Sequence, residues 1–127
     1  MQTKLTFEEI EKIITSDLFR ENEMSPEHFM QDETWTYSGL MQTNYAETGY
    51  SPEFLDALKL LGDFELVDGY GGEGFGERYW SVYHFKTHDI FIKFDGWYQS
   101  YRGSEFEKMF QVVPEEVTVI KYKPVNA

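Results

Sequence analysis

His84, His88 and Asp89 are the one cluster in this chain whose residue types resemble a metal site. Two imidazoles and a carboxylate would supply three ligands, provided the backbone brings them onto one ion. On an extended strand, rings four residues apart lie ~13 Å from each other, too far for a single ion. Only a sharp turn at His88 would close that gap. We therefore read both as hydrogen-bonded or turn histidines, and expect no metal. His28, close behind Ser25, reads the same way.

The other reactive chemistries fail on residue type or context. There is no cysteine, which excludes disulfides, thiolate catalysis and cysteine-ligated zinc. No serine stands in a nucleophile-elbow context. Neighbouring carboxylates such as Glu105 and Glu107, or Glu115 and Glu116, follow from 23 acids in 127 residues. A catalytic pair would need a set separation across a cleft. Gly69, Gly71 and Gly74 match GxGxxG in form only. A strand is expected after them where a phosphate site needs a helix N-terminus, and Glu73 and Glu77 would repel the anion. The segment reads as a loop between strands, with Tyr70 and Phe75 lacking an obvious place of burial. No enzyme and no cofactor are expected.

The element that would position any site is an aromatic ribbon, residues 78–102. Its Asp95-Gly96 dipeptide is the strongest short hairpin signal in the chain. A two-residue turn there predicts that Phe94 faces Trp97, Ile92 faces Gln99 and Ile90 faces Tyr101, since side chains alternate strictly along strands. The preceding strand, Tyr79 to Lys86, joins through a two- or four-residue turn before Ile90. Tyr79, Tyr83, Phe85, Ile90, Ile92, Phe94, Trp97 and Tyr101 then form a core face. The second face carries Trp80, Val82, His84, Phe91, Lys93, Tyr98 and Ser100, the mixture enriched at protein interfaces. Either a loop or the N-terminal segment covers it, or it is a recognition surface.

Around the ribbon, Thr6 and Glu9 have capping-box spacing for a helix over 6–16, with Phe7, Ile10, Ile13 and Ile14 on one side. Asp17, Glu21 and Glu23 read as an acidic connection, and Ser25-Pro26 as a second helix start. Residues 32–50 are barely readable, although Trp35 and Tyr37 allow a short strand. Ser51-Pro52 begins a helix that Gly62 stops. Phe64 to Val67 reads as the first strand, Gly103 to Gln111 as a loop or helical turn, and Val117 to Tyr122 as a last strand. The fold class is α+β: a mainly antiparallel meander of about four or five strands with N-terminal helices on one face. Residues 1–127 form a single domain, mainly helical and acidic over 1–62 and sheet over 63–127.

Aromatic residues make up 18% of the chain, enough for a dense core without staples. The net charge is -12, with 12 acids against 4 bases over residues 1–62. Such a field repels nucleic acid and anionic membranes and favours basic partners. The opening run MQTKLTFEEIEK has no apolar core of signal-peptide length, and no stretch approaches a membrane span. A cytoplasmic protein is expected.

The runs GEGFGERYWSVYHFK, FIKFDGWYQSYRGSEFE and FQVVPEEVTVIKY resemble small uncharacterised acidic proteins of tailed bacteriophages. The shared features are the Gly/Glu stretch, the FDGxYxS motif and a closing P-x-x-VTV-x-x-Y segment, over about residues 71–122. The resemblance carries no known activity. It implies a host-takeover or counter-defence factor, acting in the host cytoplasm by stoichiometric binding. Three hypotheses follow. Glu8, Glu9, Glu11, Asp17, Glu21, Glu23, Glu27, Asp32 and Glu33 could form an acidic surface that mimics nucleic acid and inhibits a host protein through its basic groove. Alternatively Trp80, Phe91 and Tyr98 make the contact as an aromatic sheet face. A phage virion or assembly protein is the third.

Overall fold

The computed structural model describes residues 4–31, 51–71, 77–99 and 103–125. Along them run helices α1 (Phe7–Ile14), α2 (Asp17–Glu21), α3 (Pro26–Met30) and α4 (Pro52–Leu61), then strands β1 (Phe64–Tyr70), β2 (Glu77–Phe85), β3 (Ile90–Gln99) and β4 (Gly103–Val112). The strands lie in the order β1-β2-β3-β4, each antiparallel to the next. This is the α+β meander with N-terminal helices that the sequence predicts. The uncertain run 32–50 lies outside the described residues.

Local chemistry sets the helix starts. Thr6 Oγ1 accepts the Glu9 N–H at 3.2 Å while Glu9 Oε1 accepts the Thr6 N–H at 3.0 Å, so the capping box is complete. Such a cap stabilises a helix by about 1 kcal/mol. Ile10 and Ile14 turn fully inward. Ser51 caps α4 by accepting the Phe54 N–H at 3.2 Å, and Pro52 starts the first turn without losing a bond. Gly62 ends it at φ +79°, where a Cβ would strike the Thr87 side chain. Asp17 to Glu21, expected as a connection, is itself helical. Ser16 Oγ accepts the Phe19 N–H at 3.4 Å, and Phe19 is fully buried.

The core lies between the helices and one face of the sheet. Phe29 of α3 is its hub. Its ring is 4.9 Å from Phe94 with planes 13° apart, 5.1 Å from Tyr83 edge-on and 5.3 Å from Phe64. Burying a ring of this size contributes about 2–3 kcal/mol before packing is counted. Ser81, facing the same way, donates to the Phe29 carbonyl at 2.6 Å, which satisfies a buried hydroxyl and fixes α3 on β2. Tyr83, Phe85, Ile90, Ile92 and Phe94 are buried on this face as expected.

Asp95-Gly96 is not a turn. The turn expected before Ile90 does form, as the four-residue loop Lys86, Thr87, His88 and Asp89, with Phe85 paired to Ile90. Strand β3 runs straight through Asp95 and Gly96, and a register shift there leaves Glu107 of β4 as the extra residue. Glycine is required for space. A Cβ at Gly96 would overlap the Glu105 carbonyl oxygen and lie 2.6 Å from Met30 Sδ. Gly103 to Gln111, expected as a loop or helical turn, is accordingly strand β4. The bulge puts Phe106 and Met109, three apart, on the same face, which imitates helical spacing.

The straight strand also reverses two aromatic positions. Trp97 pairs with Arg78 and lies on the outer face rather than the core face. Tyr98 takes the core side, with its ring 6.1 Å from Tyr79 in an edge contact. Ser100 and Tyr101 lie outside the described residues. Val117 to Tyr122 makes no strand pairing among the described residues, and its apolar side chains stand in solvent.

Candidate partner-binding surface

Alternation along β2 and β3 sends Arg78, Trp80, Val82, His84, Phe91, Lys93, Asp95 and Trp97 to the face opposite α3. None of their side chains belongs to the core cluster. They are organised by pairing with each other. Lys93 Nζ stands 4.3 Å from the Trp80 ring centre, and Tyr70 of β1 stacks on the same indole at 6.2 Å. The Arg78 guanidinium lies 5.1 Å from the Trp97 ring. His84 and Phe91 are directly opposed, with rings 4.0 Å apart and parallel within 2°. On β4, Lys108 Nζ sits 5.4 Å from Phe110. Each cation over a ring is worth about 0.5–1 kcal/mol where water reaches it.

At the centre lies Asp95, only 3% exposed. Arg78 Nη2 is bonded to its Oδ2, while Arg78 Nη1 reaches Glu107 at 3.9 Å. Asp95 Oδ1 makes no hydrogen bond among the described residues. A buried carboxylate oxygen in that condition is uncommon, because its desolvation is repaid by no donor. Asp95 therefore depends on Arg78, which is itself half in solvent.

The histidine cluster is split by the fold. His84 Nε2 meets Asp89 Oδ1 at 2.9 Å on the outer face. His88 turns inward, where Nδ1 accepts the Leu5 N–H at 2.8 Å and Nε2 donates to the Leu60 carbonyl at 3.0 Å. These backbone partners fix its tautomer, since an amide can only donate and a carbonyl only accept. His88 fastens the chain before α1 to the end of α4, a role that spacing alone does not disclose. Its flank by Asp89, at φ +52° in a tight turn, is the only cue the sequence held.

Of the acidic positions, Glu8 and Glu9 are exposed on α1 and Glu11 is half-buried. Asp17 begins α2 and pairs with Arg20 at 2.8 Å. Glu21, Glu23 and Glu27 are exposed, Glu23 at φ +58° between α2 and α3. Asp32 and Glu33 lie outside the described residues, as does Phe75. A cavity of about 490 Å³ opens between α1, α2 and α4, lined by Leu5, Ile13, Leu18, Ala57 and Leu60. Of its polar lining, Glu9 is engaged in the Thr6 cap and Ser16 with Ile13 and Phe19, and Lys12 stands at its rim, exposed. No helix among the described residues is long and apolar enough to cross a membrane.

No protein-family model, curated protein or solved structure matches the chain.

Proposed function

We propose that this chain is a non-enzymatic binding domain that engages a partner protein through the outer face of its sheet. One observation carries the reading: the core cluster lies between the described helices and one face, while the other carries half-buried Trp80, Phe91 and Trp97 interleaved with Lys93 and Arg78. Large amphipathic rings and arginine are the side chains that dominate binding energy at protein interfaces. Self-stacking holds them in place before contact, which lowers the entropy lost on binding. A net charge of -12 argues against nucleic acid as the partner, despite the cations on this face. The resemblance to phage proteins points to a bacterial host protein that is inhibited by direct contact.

Mimicry of nucleic acid by the N-terminal helices is the second reading. It is favoured by the exposure of Glu8, Glu9, Asp17, Glu21, Glu23 and Glu27. Affinity capture from bacterial lysate with three baits separates the two. A partner retained by E8K/E9K/E11K and lost by W80A/F91A supports the sheet face. The opposite pattern, with capture that weakens steeply in salt, supports mimicry.

A further inference from the structure

Among the described residues, the exposed large apolar side chains other than Leu60 lie on two segments. One is β1, where Leu66, Val67 and Tyr70 are 41%, 45% and 56% exposed. The other is the arm 113–125, where Val117, Val119, Ile120 and Tyr122 are 67–93% exposed. Both are built from residues that favour strands, and both have unpaired backbone. Among the described residues β1 is hydrogen-bonded to β2 alone, so its far side is an open edge of the described sheet, and the arm has no pairing there either. An open edge beside a β-prone arm is a template for strand addition.

The arm is neutral as a whole, with Glu115 and Glu116 near its start, and its later, basic part is complementary in charge to β1. Asp63, Glu65 and Asp68 border the β1 edge, whereas Lys121 and Lys123 alternate with the apolar residues of the arm. An antiparallel register that sets Ile120 beside Leu66 brings Lys121 beside Glu65 and Lys123 beside Asp63. It also puts Tyr122 next to Phe64 on the core side, extending the buried face by one strand. Lys86 already meets Glu65 at 3.1 Å and Asp63 at 3.7 Å. A carboxylate has acceptor positions for a second ammonium. The other open edge, β4, has no comparable exposed aliphatic pair, so β1 is the better acceptor.

Within the chain the arm does not make this pairing: its residues 117–122 are unpaired among the described residues, and Val117, Val119, Ile120 and Tyr122 are 67–93% exposed. Val112 ends β4 in the row Val112, Phe91, His84, Glu65, at the opposite edge of the sheet from β1. Reaching the far side of β1 means crossing about four strand spacings, ~19 Å, and also running back along the strand, ~24 Å in total. A pairing from Ile120 onward within one chain would also carry residues 113–119 across a face of the sheet, where the helices pack on one side and the aromatic rings stand on the other. We infer that the arm adds as a strand to the β1 edge of a second copy of this chain, and that reciprocal exchange closes a twofold dimer.

Sedimentation equilibrium of the full chain tests this. The mass of one chain is 15.0 kDa. A closed exchange gives about 30 kDa, and K121E/K123E returns it to the single-chain mass with an unchanged circular dichroism spectrum. Adding D63K/E65K to that variant restores the dimer. Because the chain has no native cysteine, L66C/I120C forms a disulfide between two chains under mild oxidation. A wild-type protein that stays at single-chain mass up to ~100 µM, where stable exchanged dimers are assembled, overturns the inference. So does a dimer indifferent to K121E/K123E, or a cysteine pair that closes only within one chain.

Discussion

Lys93 Nζ lies 4.3 Å from the centre of the Trp80 ring, on adjacent antiparallel strands and two residues off the direct cross-strand pair. Both side chains sit on the face away from the helices, so their contact stiffens a surface rather than a core. A double-mutant cycle of Lys93→Met and Trp80→Leu, read by urea denaturation, is expected to return a coupling of about 0.5–1 kcal/mol. Each single variant leaves the protein folded.

Phe29→Ala behaves differently. That ring touches Phe94, Tyr83, Phe64 and Phe85 at once and is fully buried. Its loss removes apolar burial and opens a cavity, costing about 3–5 kcal/mol in the midpoint and slope of a urea transition.

Gly96→Ala and Gly69→Ala form a controlled pair within one sheet. The first inserts a methyl onto the Glu105 backbone and Met30; the second meets the Trp80 carbonyl oxygen at an ordinary 3.5 Å. Thermal melts should show Gly96→Ala destabilised by about 1–3 kcal/mol or more. Gly69→Ala should stay within about 0.5 kcal/mol of the parent.

Lys86 is held above the ordinary lysine value of 10.5, first by its hydrogen bond to Glu65. Desolvation opposes this next, and the Glu65 and Asp63 charges and a hydrogen bond to Asp63 raise it further. The folded state thus binds this proton more tightly than the unfolded chain. Its stabilisation is fully present below the unfolded value of 10.5 and is lost as pH rises through the folded one. Lys86→Met is expected to flatten the alkaline limb of the stability–pH curve and leave the slope between about pH 5 and 8 unchanged.

Much of the architecture was legible because local chemistry decided it. Thr6 with Glu9, Ser51 with Pro52, and Gly62 each marked a boundary through a bond or a backbone angle that neighbours alone determine. The sheet was harder because its pairing depends on distant residues. Asp95-Gly96 has the chemistry of a tight turn, yet the glycine answers to Met30 and Glu105, and the aspartate to Arg78 seventeen residues away. That one misreading exchanged Trp97 and Tyr98 between faces and hid β4. On the outer face, Trp80, Val82, His84, Phe91 and Lys93 were legible from alternation along β2 and β3, whose connecting turn after Phe85 was legible too. The inward role of His88 was not, since Leu5 and Leu60 are remote from it in sequence.

The affinity of the captured partner for W80A/F91A, by calorimetric titration beside the wild type, tests the central claim most directly. Loss of two ring anchors from a contact surface weakens binding by about 30-fold or more. An affinity within about twofold of the parent, for a variant with a native circular dichroism spectrum, would contradict the assignment of the outer face.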